Sequence, residues 1–371
     1  MKKFFIAFAL LAGASLLTGC FPDNTDDSAT DIIVTSGALV INKGNAPQGI
    51  DGSLTHLDFG NSSSREISGL SQYGTFSDIM VYGGKAYVVC PDECSILVLD
   101  RKSFQPIKTV PTTIMIGSEY PDTPSRLAAY ADKVYVSLES GYVCAIDTLS
   151  FAIRATYRVG SYPEGMCIGS KNDIPYLYVA NSDAGAGNGS ISTVELSTGT
   201  VKELRNEKIR YPRELAVAGE DIYLLDWGVF DENGTQKDAG VYRINESSVY
   251  QIIPDATYMS TGGYTILTAN APQGGTGISY SSYNILTSTR IDFPISGDGP
   301  KIISPTSVSI DPNTGYVMIT SRNPDPDTGE PAYDLPGFAN LYKPSGEFAM
   351  TFSVGVEPGD VAFLYQVEKF K

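Results

Sequence analysis

The sequence predicts an all-β chain, a seven-bladed β-propeller closed by its C-terminal strand, and three observations predict it. A unit of four short strands and turns recurs along the chain; its openings are spaced like propeller blades; and an opening strand is left over at the C-terminal end, while the first unit lacks one. Repeats of this length mark blade architectures, which run to about 40–45 residues before loop insertions. The second strands repeat one phrase: Lys85-Ala86-Tyr87-Val88-Val89, Lys133-Val134-Tyr135-Val136-Ser137, Pro175-Tyr176-Leu177-Tyr178-Val179, Asp221-Ile222-Tyr223-Leu224-Leu225, Gly263-Tyr264-Thr265-Ile266-Leu267 and Gly315-Tyr316-Val317-Met318-Ile319. Third strands end on an acidic or amide residue, as at Asp58, Asp100, Asp147, Glu195 and Asn245. Such a side chain bonds its own backbone two residues on and starts a turn.

Units open at Pro124, Pro163, Pro212, Pro305 and Pro358. The first blade is placed near residues 36–68 and the others near 74–110, 124–159, 163–204, 212–253, 255–292 and 305–353. Val354–Leu364 reads as an opening strand with no unit behind it, so it completes the first blade and removes the exposed edges of a linear array. No long apolar stripe of helical period appears after the first 20 residues, so helices are few.

Residues 1–19 read as a lipoprotein signal peptide. Lys2 and Lys3 precede an apolar run from Phe4 to Leu17, which is too short for a spanning helix, and Leu17-Thr18-Gly19-Cys20 looks like a bacterial lipobox with Cys20 acylated. Residues 20–35 read as an acidic flexible tether and 36–371 as the propeller. Net charge is −16, and −18 without Lys2 and Lys3, which argues against nucleic acid or an anionic bilayer face as partner.

Cys90 and Cys94 fall where a hairpin turns, so they are either a disulfide or two free thiols. Cys144 and Cys167 sit in apolar strands as core thiols. The one histidine, His56, lies on a strand, and no G-x-S-x-G elbow or C-x-x-C-H is present, so no catalytic residue, metal or cofactor is assigned. Asn323–Gly329 with Asp334 offers oxygens for calcium, but Thr328 stands where an EF-hand loop needs glycine, and a solvated acidic loop is the plainer reading.

Blade geometry puts the loops between second and third strands on the same side as the links between blades. All long insertions fall there: Asn42–Gly52, Asn181–Gly189, Asp226–Ala239, Asn270–Gly277 and Asn323–Ala339. One elaborated face on a rigid scaffold is where binding resides. Its candidate ligand contacts are Tyr120, Arg126, Tyr162, Glu164, Asn181, Tyr211, Arg213, Trp227, Phe230, Arg322 and Tyr333, aromatic rings beside amides and charges. Trp227 reads equally well as a cap over blade packing, and the Tyr-Pro segments as seats for the links.

The lipobox and acidic tether, with Ala38–Asn45, Gly84–Val89, Val159–Gly165, Leu177–Ser182 and Val354–Gly359, resemble the YncE-like (DUF5074) β-propeller surface lipoproteins of Bacteroidetes along the whole mature chain, most of all those that bind cobalamin. The resemblance implies a non-enzymatic protein on the outer face of the outer membrane, lipid-anchored, that captures cobalamin or another corrinoid and hands it to a BtuB-like TonB-dependent transporter. Two other readings stay open: a glycan or peptide nutrient beside a different transporter, or a metal-assisted lactonase or lyase. The latter is disfavoured by the single histidine.

Overall fold

A computed structural model describes residues 30–117, 122–218, 221–245, 248–273 and 277–370. It is a seven-bladed propeller of four-stranded antiparallel sheets. From the axis outward, blade 1 is Pro358–Phe370, Thr30–Asn42, Ser53–Asp58 and Ser63–Glu66, so the last strand of the chain closes the ring inside the first, as expected. Blade 2 holds Asp78–Tyr82, Lys85–Cys90, Ser95–Asp100 and Pro106–Pro111; blade 3, Pro124–Tyr130, Lys133–Leu138, Tyr142–Asp147 and Ile153–Arg158. Blade 4 holds Pro163–Lys171, Ile174–Asn181, Ser190–Glu195 and Val201–Leu204; blade 5, Pro212–Ala218, Asp221–Asp226, Gly240–Asn245 and Ser248–Pro254. Blade 6 holds Tyr258–Gly262, Thr265–Asn270, Ser279–Asn284 and Thr289–Asp292; blade 7, Pro305–Ile310, Val317–Ser321, Pro336–Tyr342 and Phe348–Val356.

Strand alternation builds the core. Along Lys85–Cys90, the side chains of Ala86, Val88 and Cys90 pack toward blade 1, while Tyr87 and Val89 pack toward blade 3. Both faces of each inner strand are therefore buried, and these strands read as near-continuous apolar runs. The pattern repeats as seven apolar clusters, one between each pair of neighbouring blades.

One expectation is corrected and one open alternative is decided. The first strand begins at Thr30, inside the segment read as tether, because residues 30–35 pair with 365–370 in a ribbon that runs past the blade on the side away from the long loops. Asp311 fastens it, accepting from Thr35 Oγ1 at 2.6 Å and Tyr365 OH at 3.0 Å. Secondly, Cys90 and Cys94 are both free thiols. Alternation turns Cys90 into the cluster between blades 1 and 2, where burial pushes its thiol up to about 12, whereas Cys94 sits beyond it on the turn at φ 44°. Cys144 is buried as expected; Cys167 is partly buried against the cluster between blades 4 and 5.

The five inner strands that open with proline, in blades 1, 3, 4, 5 and 7, each carry one extra residue against the second strand within the first turn of pairing, as between Pro212↔Asp226 and Glu214↔Leu225. Proline is tolerated because the inner edge has no ladder partner for its missing N–H. A bulge re-aims the side chains beside it. Here it turns the residues after each proline toward the axis.

Candidate ligand face and axial channel

The strand order carries every second-to-third loop and every inter-blade link to one end of the ring. These segments bond to one another there: Asn45 Nδ2 donates to Tyr333 O at 2.9 Å, Gly52 N to Gly74 O at 2.9 Å, and Gln236 N to Gln273 O at 2.9 Å. The blade 5 insertion adds its own two-stranded ribbon, Val229–Phe230 with Gln236–Lys237. The opposite end carries tight turns such as Gly83–Gly84 and the loop after Asp147.

At the centre of the loop face the bulged openers meet. Arg213 Nη1 bonds Glu164 Oε1 at 2.5 Å, its guanidinium lies 4.4 Å from the Trp227 ring centre and 5.3 Å from that of Tyr211, and those two rings meet edge to face at 5.7 Å. Trp227 is held in turn by its Nε1 donating to Thr257 O at 2.9 Å. Across the mouth, Arg322 forms a two-pronged pair with Glu357 and stacks over Tyr333 at 4.6 Å. Planar guanidinium over an aromatic face pairs cation–π attraction with directed hydrogen bonding. Tyr333, Phe230 and Tyr162 are 54%, 40% and 40% exposed, so each offers surface to a ligand. Tyr162 and Glu357 take φ of 49° and 52° immediately before a proline, a conformation non-glycine residues hold only where the surroundings enforce it.

Below the mouth lies an axial cavity of about 260 Å³ whose wall includes Asp78, Arg126, Glu214, Tyr258, Ser307 and Asp360. Arg126 donates to Ser77 O at 2.5 Å and pairs with Asp360 at 3.4 Å. Burial opposes the charge on Arg126, but Asp360, Asp78, Glu164 and Glu214 outweigh it and raise its pKa. Asp78 accepts only backbone donors, Ile79 N at 2.8 Å and Leu127 N at 2.7 Å, and burial pushes its carboxyl up to about 7 against the pull of Arg126. Glu214 is also pushed up to about 7, first by burial and then by Asp360. Burial lowers the Lys43 ammonium, and Asp360 only partly offsets it.

The sequence-predicted residues divide accordingly. Arg126, Glu164, Tyr211, Arg213, Trp227, Arg322 and Tyr333 gather around the axis on the loop face. Tyr162 flanks them on the link before Pro163, and Phe230 lies on the blade 5 ribbon. Asn181 is corrected to a structural residue: it is 1% exposed, and its amide bridges Ser190 and Ser192, each at 3.0 Å, on the next strand. Asn42 does the same for Ser53 and Thr55, and Asn270 for Ser279 and Ser281. Tyr120 and Cys20 lie outside the described residues. Lys43, Asp78, Glu214, Tyr258, Glu357 and Asp360 were missed; aligning the openers would have exposed four of them, since Asp78, Arg126, Glu214, Tyr258 and Asp360 hold one equivalent position.

His56 is a half-buried strand residue tilted against Phe104 at 5.0 Å, its pKa lowered chiefly by burial. In the Asn323–Gly329 loop, Asp325 spends Oδ1 on Asp327 N, Thr328 N and Thr328 Oγ1, closing its own turn. Among the described residues no three His, Cys, Asp or Glu converge as a metal site.

The class that fold and site define is the seven-bladed β-propeller with one elaborated face. Solved structures agree at the level of fold: dihydro-heme d1 dehydrogenase NirN in complex with DHE (TM-score 0.54, 12% identity, 92% of this chain and 77% of that one), the WD40 repeats of RRP9 (0.52, 12%, 76% and 81%), and Kuenenia stuttgartiensis hydrazine synthase (0.51, 15%, 72% and 86%). No family model and no curated protein matches the chain.

Proposed function

We propose that the protein is an outer-membrane surface lipoprotein, of the kind represented by BtuG, that captures a corrinoid such as cobalamin on its loop face and passes it to a BtuB-like TonB-dependent transporter. The observation that carries the reading is the mouth itself: two arginine–aromatic stacks, Arg213 with Trp227 and Tyr211, and Arg322 with Tyr333, each pinned by a carboxylate. Stacked, pre-paired groups on a ring of seven blades lose little freedom when a large flat ligand arrives, which is where affinity without chemistry comes from. The lipobox at Cys20 supports anchoring. Thr30, the first described residue, starts its strand at the end of the ring away from the mouth, which supports anchoring from that end.

Titrating the purified chain with cobalamin while following Trp227 fluorescence tests this. Saturable binding at micromolar concentration or below, weakened about tenfold or more by Tyr333→Ala and by Arg322→Met, is expected. No binding at that concentration overturns it in favour of a glycan or peptide nutrient.

A further inference from the structure

The side of the ring away from the mouth carries apolar side chains that its turns do not need. The turn after each third strand is closed by the residue that ends the strand. Asp100 accepts from Lys102 N at 3.0 Å and Ser103 N at 2.8 Å, and Asp147 from Leu149 N at 3.1 Å and Ser150 N at 2.7 Å. The two turns match down to the next residue, Phe104 and Phe151 at φ 58° and 59°. Asn284 closes the blade 6 turn through Thr287 N at 3.0 Å. The residue two places after the closing one contributes no side chain to the turn. It is Gly60 in blade 1, Lys102 in blade 2 and Ser197 in blade 4, yet Leu149 in blade 3 and Leu286 in blade 6. Those leucines are 83% and 68% exposed.

Each leucine is joined by an aromatic ring. In blade 3 the two turns abut, Thr148 N donating to Asp132 O at 2.9 Å, and expose Tyr130 on one and Leu149 on the other. In blade 6 they abut through Ile285 N and Tyr264 O at 2.8 Å, and expose Tyr264 and Leu286. Blade 1 supplies a third apolar tip, Ile33 and Val367, an exposed cross-strand pair on the ribbon. Asn313, on the blade 7 turn, donates to Ile33 O at 3.2 Å, which sets this pair level with the turns. Blades 1, 3 and 6 divide the ring into steps of two, three and two blades. One exposed apolar side chain is ordinary, but three paired tips spaced around one side define a plane that can rest on a flat surface.

The position of Cys20 and the chemistry of the tips say which surface. Cys20 stands ten residues before Thr30, which starts on this same side, and ten residues span at most about 35 Å. A ring held through an acylated Cys20 therefore keeps this side close to the bilayer. Leucine, isoleucine and valine suit the acyl boundary, and tyrosine suits the headgroup level. With a net charge of −16, attraction to anionic lipid is not what holds it.

We propose that the turn side is a membrane-docking surface, its three tips seated at the headgroup boundary of a lipid bilayer. The mouth then opens to the medium, the posture for capture, and handover follows when the ring tips off the surface. Three small tips hold weakly enough for that release. The choice of partner rests on the lipoprotein reading, not on the ligand of the mouth.

The ring closes within residues 30–370, so a chain begun at Asp23 keeps the whole fold and lacks both the apolar leader and the acylated cysteine. Co-sedimentation of that chain with phosphatidylcholine vesicles measures the affinity of the turn side itself. Half-saturation near about 1 mM lipid is expected, weaker than a single myristoyl chain gives. Leu149→Ser combined with Leu286→Ser is expected to weaken it about tenfold. Circular dichroism and the urea midpoint are expected to stay unchanged, since Ser197 holds the same place in blade 4. Absence of saturable vesicle binding overturns the proposal, as does binding that the double variant leaves undiminished. A concentration-dependent dimer in sedimentation velocity that the double variant abolishes assigns the tips to a second copy and overturns it too. Palmitate labelling of the full chain in cells tests the anchor separately: label at Cys20 without vesicle binding ends this proposal and spares the lipoprotein reading, and the converse result does the reverse.

Discussion

Carboxylates at the two ends of the ring have opposite fates. On the turn side, Asp58, Asp100 and Asp147 end third strands, and each closes the turn that follows. Asp147 accepts from Ser150 N at 2.7 Å, Leu149 N at 3.1 Å and Arg154 Nη2 at 2.8 Å. All three are held below the ordinary carboxylate range, first by Asn61 at Asp58 and by Ser103 and Ser150 at the other two. At the axis, Asp78 and Glu214 are raised to about 7, first by burial. A carboxylate wrapped in donors is committed to the fold; one enclosed with few donors remains available. The two sets therefore contribute to stability with opposite pH signatures.

Asp226 stands between these cases and gives the largest expected effect. It is fully buried on the loop side and accepts from Arg210 N, Tyr211 N and Gly228 N at 2.9, 3.0 and 2.7 Å, yet burial outweighs those bonds and raises it to about 6. Asp226→Ala strands three backbone donors and releases the Tyr211–Trp227 corner. A loss of about 3 kcal/mol in urea unfolding at pH 7 is expected. A loss below about 1 kcal/mol would show that the corner is held by packing alone.

Glu214 is next. Its folded pKa lies above its unfolded one, so its contribution is full below the unfolded value near pH 4.5 and is lost as pH rises through about 7. Glu214→Gln removes that loss. The variant is expected to match the parent near pH 5 and exceed it by about 1–2 kcal/mol at pH 8. Equal stability of the two at both pH values would place Glu214 in solvent and end the contrast between the ring's two ends.

Asp147 supplies the mirror test at smaller amplitude, because Arg154, its charged partner, is half exposed and solvent screens the pair. With a depressed folded pKa, its contribution is present above the unfolded value near 3.8 and is lost as pH falls through the folded one. Asp147→Asn is expected to lower the melting temperature at pH 7 and to converge with the parent in acid, the reverse of Glu214→Gln. A deficit that persists unchanged at low pH would assign the effect to the turn's shape and not to its charge.

Much of this was legible in the sequence, and the rest was hidden for identifiable reasons. The ring and its closure follow from the repeated strand phrase and from Val354–Leu364 lacking a unit of its own. Asp100 and Asp147 are readable as turn starters because their partners are two and three residues away. Arg126, Glu164 and Arg213 stood out because they follow the prolines that mark blade openings. Asp78 and Tyr258 hold the same axial position in the two blades that open without proline, so no marker drew attention to them. Lys43, Glu357 and Asp360 come from opposite ends of the chain and meet only when the ring closes. Asn181 was misplaced, and the state of Cys90 stayed open, for a shared reason: whether a residue at the end of a strand faces the mouth or the neighbouring sheet depends on register, which a loop boundary in sequence does not reveal.

The smallest effect separates architecture from use. Gly359 has no positive φ, so alanine there meets Lys43 Cε at 2.7 Å and Ile41 Cγ1 and Cδ1 at 3.1 and 3.2 Å. The lysine end is flexible and can swing aside, so Gly359→Ala is expected to cost under about 1 kcal/mol in unfolding. Cobalamin binding at the mouth is expected to hold, since residue 359 lies below the arginine–aromatic stacks. A loss well above about 1 kcal/mol, read in urea unfolding, would show that the lysine cannot move aside and that its place over residue 359 is part of the architecture.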